Sequence, residues 1–148
     1  MAATTAMCTS FKSELMQALH NFLLTGGNAF KLALIKTGMA GTYGAASTNY
    51  SNITGNSDEA SGTGYTAGGA ALTRVDPATS GTTAYTDFAD VSWSSATISA
   101  AAAMIYNTTS GNRAVSVHDF GGTVTSTNGT FQVTFPTPDA SNAILRLA

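Results

Sequence analysis

The chain has 148 residues, 43% of them hydrophobic, enough for one domain with a buried core and too many for wholesale disorder. Only 9% are charged, six Lys/Arg against eight Asp/Glu for a net charge of −2, where soluble domains usually carry about 25%. The cations Lys12, Lys31, Lys36, Arg74, Arg113 and Arg146 are scattered, so nucleic acid is not an expected partner. Cys8 is alone, which excludes an internal disulfide.

Residues 1–9 are uncharged and are read as an N-terminal arm ahead of a single domain over residues 10–148. They show neither a basic start nor a continuous apolar run, so no secretory leader is expected. Phe11, Leu15, Ala18, Leu19 and Phe22 recur at helical spacing, with Met16 and Leu23 widening the stripe and His20 on the opposite, solvent side. With Ser10 as N-cap, Glu14 near the positive end, and Gly26 and Gly27 as the stop, the pattern predicts a helix over residues 10–24.

The period then changes from 3.6 to 2. Phe30, Leu32 and Leu34 share one face of a strand over residues 30–36, with Lys31 on the other. Residues 37–69 are rich in Gly, Ser, Thr and Asn, broken by Tyr43, Tyr50, Ile53 and Tyr65. So long a connection either has a task or hides short strands. Its tyrosines predict an ordered loop with buried ring faces and wet hydroxyls.

From residue 70 the pattern is strand, turn, strand. A short strand over 72–75 is ended by Asp76-Pro77, because proline lacks a ladder N–H. Ser80-Gly81 turns into a strand over 83–88. Val91-Ser92-Trp93, Thr97-Ile98 and residues 101–106 read as further short strands. Residues 114–120 form another, ended by Gly121-Gly122. Asn128-Gly129, between Val124 and Phe131, reads as a hairpin turn. Pro136 and Pro138 break the strand before them, and residues 143–147 make the last one. The sum predicts a mainly β protein: an antiparallel, jelly-roll-like β-sandwich with one N-terminal amphipathic α-helix.

No motif announces a reaction. His118 and Asp119 are adjacent, so on a strand they point to opposite faces and cannot couple directly. No G-x-S-x-G accompanies the many serines. Asp58-Glu59 invites comparison with a calcium pair, but no EF-hand or nonapeptide repeat surrounds it, and loop solvation is the simpler reading. Asp87 and Asp90 read as turn or cap residues. Gly62 to Gly69 lacks the lysine of a phosphate loop and reads as a tight backbone path. Trp93 on an alternating strand reads as core. The longest membrane-span candidate, Ala96 to Tyr106, is too short and holds Thr97 and Ser99. No catalytic residue, metal site or cofactor is expected.

Ser10-Phe11-Lys12-Ser13-Glu14-Leu15, Phe30-Lys31-Leu32-Ala33-Leu34, Gly62-Thr63-Gly64-Tyr65-Thr66-Ala67-Gly68-Gly69, Asp87-Phe88-Ala89-Asp90-Val91 and the ending from Phe131 to Leu147 carry a likeness that runs nearly end to end. In these the chain resembles a family of small bacteriophage virion structural proteins. The resemblance implies a capsid cement or decoration protein on the virion exterior, made in the host cytoplasm. It implies major capsid protein and further copies of the chain (homodimer or homotrimer) as partners, with no enzymatic activity. Met7, Phe11, Tyr43, Tyr50 and Tyr65 are the expected contact residues. The other readings are a phage neck or tail protein, a carbohydrate-binding module using the tyrosines or Trp93, and, last, an enzyme.

Overall fold

The structure, a computed structural model, describes residues 1–148. Its elements in order are β1 (Ala6–Met7), α1 (Thr9–Met16), β2 (Phe30–Ile35), α2 (Ser51–Gly55), β3 (Ala70–Leu72), β4 (Arg74–Ser80), β5 (Thr83–Phe88), β6 (Val91–Asn107), β7 (Arg113–Val133) and β8 (Leu145–Leu147). They form two antiparallel sheets, one of order β1-β7-β6-β2-β3 and one of order β4-β5-β8. The mainly β architecture with a helix at its N-terminal end is the one the alternating pattern predicts.

β2 lies between β6 and β3 in the larger sheet and is buried on both sides. Its register with β3 and β6 puts Phe30, Leu32 and Leu34 on one face with Leu72, Ala103 and Ile105. There the rings of Phe22, Phe30, Phe88 and Phe135 follow one another, the first pair stacked and the next two tilted, with centroids 4.6, 5.7 and 5.7 Å apart, and join the two sheets. Ala33, Ile35, Ala102, Met104 and Tyr106 point the other way. Residues 36–69 cover that second face, with Tyr50 stacked on Tyr106 at 4.5 Å and Ile53 fully buried in α2.

The helix is half as long as its apolar stripe suggests. The Ala18 N–H donates to Leu15 O and the Leu19 N–H to Glu14 O, both at 3.1 Å, which closes the helix at Met16. Ala18 takes the left-handed conformation (φ 58°) usually given to glycine at this position. Tertiary contacts outweigh that strain. The reversal carries His20 back to 2.8 Å from Glu14 Oε2 and lays Phe22 on Phe30. His20 is therefore buried, not solvent-facing. Cys8, not Ser10, is the N-cap, and Ser10 lies inside α1 with its buried hydroxyl unpartnered.

The strand boundaries differ where glycine and proline were read as punctuation. β4 runs through Pro77 to Ser80, because β4 is an edge strand and its ladder skips between Val75 and Ala78. The pieces read separately between 91 and 106 are one strand, β6, and Trp93 within it is buried as expected. β7 likewise continues past Gly121-Gly122 and Asn128-Gly129, so Asn128-Gly129 is no hairpin. Positive φ at Gly121 (76°) and Asn128 (48°) is absorbed as bulges against β6. Two steps on β6, Ala96 to Ile98, face three on β7, Ser126 to Gly129. Bulges bend a strand without reversing it, and the ribbon curls until Phe120 and Phe131 of β7 lie 6.4 Å apart.

Residues 1–9 pair with the chain's own body. Ala3 bridges to Tyr43, β1 pairs with Ser116 and Val117 of β7, and the Cys8 N–H donates to Val115 O at 2.9 Å.

Candidate docking surface

α1 packs against the mouth between the two sheets. Phe11 is fully buried beneath it, and Leu15 is half-buried. Met7, Phe11, Leu15 and Phe22 form one wall of an apolar groove of about 120 Å³. Pro77, Ala84, Tyr85, Leu145 and Leu147 of the smaller sheet form the other, with Thr86 and Arg146 between them. Leu147 is 55% exposed, and Met16, at the end of α1, is 85% exposed.

Leu23 and Leu24, which follow the groove residue Phe22, are each about half exposed, and their backbone is clamped. Arg74 of β4 donates to Leu23 O at 2.9 Å, to Leu24 O at 2.8 Å, and to Asn28 O. Asp76 accepts the Leu24 N–H at 2.6 Å. The Asn28 N–H donates to Asn21 O and the Asn21 N–H to Asn28 Oδ1, closing the loop at its neck. A Cβ on Gly27 would lie 2.1 Å from Leu23 O, so the path requires glycine there. The charges of Arg74 and Asp76 are spent on fixing backbone, and two leucine side chains are left in solvent on a rigid support. Exposed apolar residues held in this way are pre-organised for a contact.

Behind the groove lies a polar chain. Glu14 accepts from Arg113 Nη1 at 2.9 Å and from His20 Nε2 at 2.8 Å. Asn107 Nδ2 lies 3.0 Å from His20 Nδ1 and donates to Asn28 Oδ1 at 2.9 Å. Burial pushes the His20 imidazole down, against the opposing pull of the Glu14 hydrogen bond and charge. The neutral ring then donates from Nε2 and accepts at Nδ1, which ties α1 and the 21–28 loop to the sheet.

The opposite face is anchored by two carboxylates. Asp58 is fully buried and accepts from the Ala40 N–H (2.9 Å), the Gly41 N–H (2.7 Å) and the Tyr43 hydroxyl (2.6 Å), with Lys36 Nζ at 3.3 Å. Burial raises its carboxyl, but these hydrogen bonds outweigh it and hold the group at about 2. Glu59 accepts from Tyr50 (2.5 Å), Tyr65 (2.8 Å) and the Gly68 N–H (2.6 Å). The expected loop solvation of this pair gives way to a structural role, and the tyrosine hydroxyls expected to be wet are bonded inside the chain. Gly62 and Gly69 form the tight path their sequence suggests. A Cβ on either would lie 2.0 Å from Thr97 O or 1.8 Å from Leu32 O.

The five expected contact residues thus fall into two groups. Met7 and Phe11 meet in the groove. Tyr43, Tyr50 and Tyr65 lie in the covering loop of the other face, Tyr43 buried and the other two half-buried. The Arg74 and Asp76 clamp on Leu23 and Leu24 is absent from the sequence reading.

The remaining polar groups are dispersed. Ser116 Oγ lies 2.8 Å from His118 Nε2, and burial pushes that imidazole down to about 4. The Asp119 carboxylate instead accepts the Gly121 N–H at 3.0 Å. Asp87 accepts from Phe88 and Ile144, and Asp90 from Phe135, as tethers of neighbouring backbone. No three His, Cys, Asp or Glu side chains gather as a metal site would require. Compared with known protein families, curated proteins and solved structures, the chain matches no family model, no curated protein and no solved structure.

Proposed function

We propose that this chain is a bacteriophage virion structural protein, a cement or decoration protein that binds the outside of the assembled head through major capsid protein. The observation that carries the reading is the mostly apolar groove ending at Leu147, whose one charged lining residue is Arg146, together with the exposed side chains of Leu23, Leu24 and Met16 that follow the groove residues Phe22 and Leu15 in sequence. Such a surface desolvates at little cost, because few ions are buried on contact. The resemblance of the sequence to small phage virion proteins supplies the class of partner.

The task in this reading is binding, not turnover. A single contact of this size is weak, and many copies on a repeating lattice sum weak contacts. Preference for the assembled lattice over free subunits stabilises the shell by mass action. The Arg74 and Asp76 bonds hold the Leu23-Leu24 backbone in place without a partner, so little ordering entropy opposes docking there.

Electron microscopy of intact particles, with protein copy numbers from mass spectrometry, tests the assignment. Density over the junctions of capsid subunits, at a copy number that scales with theirs, supports it. Density confined to a single ring at the neck or tail overturns the cement reading.

A further inference from the structure

Most sheet edges in this fold are short or blunted. β1 has two residues, β3 and β8 have three each, and β4 carries Pro77 and a ladder irregularity. The β6 edge is met by a turn along residues 94–98, where the Thr97 N–H donates to Thr63 O at 2.9 Å and Gly62 and Gly64 lie close to the strand backbone. β7 is the exception. Its outer edge pairs with β1 only at Ser116 and Val117, and Thr5 accepts the Asp119 N–H. Beyond Asp119 no strand of this chain pairs with it.

That open edge has no device against pairing along its straight part. Residues 120–133 contain no Asp, Glu, Lys, Arg or Pro. The bulges at Gly121-Gly122 and Asn128 bracket Thr123-Val124-Thr125-Ser126-Thr127, of which Val124, Thr125 and Ser126 pair regularly with Ala100, Ser99 and Ile98. Thr123, Val124, Thr125 and Thr127 are exposed, Val124 at 43%. Threonine and valine favour extended backbone.

We propose that residues 123–127 of β7 form a self-pairing edge, by which a second copy of this chain adds its own β7 antiparallel about Thr125. The sequence is compatible with its own two-fold image. Thr125 meets the other copy's Thr125, Val124 meets its Ser126, and Thr123 meets its Thr127. Cross-strand Thr–Thr pairs are favourable, and the isologous contact sets Thr125 on the axis beside its own image, where a charge would repel itself. Five residue pairs fall well short of the roughly 800 Å² a side of a stable complex, so the contact is weak and forms at high local concentration. The inference is independent of the capsid reading, since it concerns copies of the chain alone.

Sedimentation of the purified protein, carried to about 1 mM, is the first test. The expected result is a concentration-dependent shift from monomer to dimer that Thr125→Lys abolishes with circular dichroism and melting unchanged. Thr125→Cys tests the geometry separately. It is expected to give a disulfide-linked dimer under mild oxidation, whereas Leu147→Cys, exposed on β8, is not. Cys8 stays out of the reaction because it is buried and its thiol is pushed up to about 11. A protein that stays monomeric throughout, a dimer indifferent to Thr125→Lys, or equal cross-linking at both cysteines overturns the proposal, whether or not the protein binds capsids.

Discussion

Arg113, the first residue of β7, donates to Glu14 of α1 at 2.9 Å across 99 residues of sequence. Glu14 is buried, and its other oxygen takes the His20 Nε2–H. One carboxylate thus fixes the helix to the sheet and fixes the chain reversal that follows the helix. The groove depends on it, because Phe11 and Leu15 on one wall ride on α1 and Phe22 follows His20.

Replacing Glu14 by Ala leaves Arg113 and the buried His20 N–H without their acceptor. The expected loss is about 2–4 kcal/mol in urea denaturation, because breaking a buried pair strands its partner. Arg113→Ala is expected to cost less, since that side chain is 44% exposed and Glu14 keeps His20.

Tyr43→Phe removes one hydroxyl donor from the fully buried Asp58 carboxylate. Hydrogen bonds to charged groups contribute about 1.5–3 kcal/mol, and a loss in that range is expected. Hydrogen exchange should locate the weakening at the Ala40 and Gly41 amides, which share the carboxylate.

Acid sensitivity should develop in two windows. The folded-state pKa of His118 is lowered by burial from 6.5 to about 4, so the fold favours the neutral ring. Its contribution is complete above pH 6.5 and drains away as pH falls towards 4. His20, lowered in the same direction, adds to this window. The carboxyl of Asp58 lies at about 2 against an ordinary 3.8, so its contribution is lost lower, between those values. Asp87 acts oppositely, since burial raises it and its protonation on acidification relieves that cost. Denaturation followed against pH should show a shallower slope between pH 6.5 and 4 in His118→Gln, with the lower window unchanged. An unaltered slope would contradict the assignment.

Two glycine substitutions separate space from backbone strain. Gly69→Ala places a Cβ 1.8 Å from Leu32 O at positive φ and should cost about 3 kcal/mol or more. Gly81→Ala meets nothing within 4 Å, so only its left-handed φ of 58° opposes it, at about 1–2 kcal/mol. Paired thermal melts compare them.

β2 and β5 are legible in the sequence almost to the residue, because the glycine turns before them, at Gly26-Gly27 and Gly81, do interrupt the chain as read. The long strands were not legible in that way. Gly121-Gly122 and Asn128-Gly129 carry the same positive-φ signal whether the chain reverses or bulges, and only pairing with β6 decides between them. The helix was overread because Phe22 keeps helical spacing from Phe11 while reaching the core by another route. Of the docking surface, Met7 and Phe11 were visible as apolar residues. The Arg74 clamp was not, because it joins backbone carbonyls to a guanidinium about 50 residues away, and no local pattern encodes that.

The most direct test of the docking surface is binding of the purified protein to assembled phage heads lacking it, with Leu23→Asp/Leu24→Asp as comparison. Both side chains are about half exposed, so the double variant should fold normally. The account predicts saturable binding of the wild type to heads but not to free capsid subunits, and loss of most of that binding in the variant. Equal binding by both proteins, or none by the wild type, would contradict it.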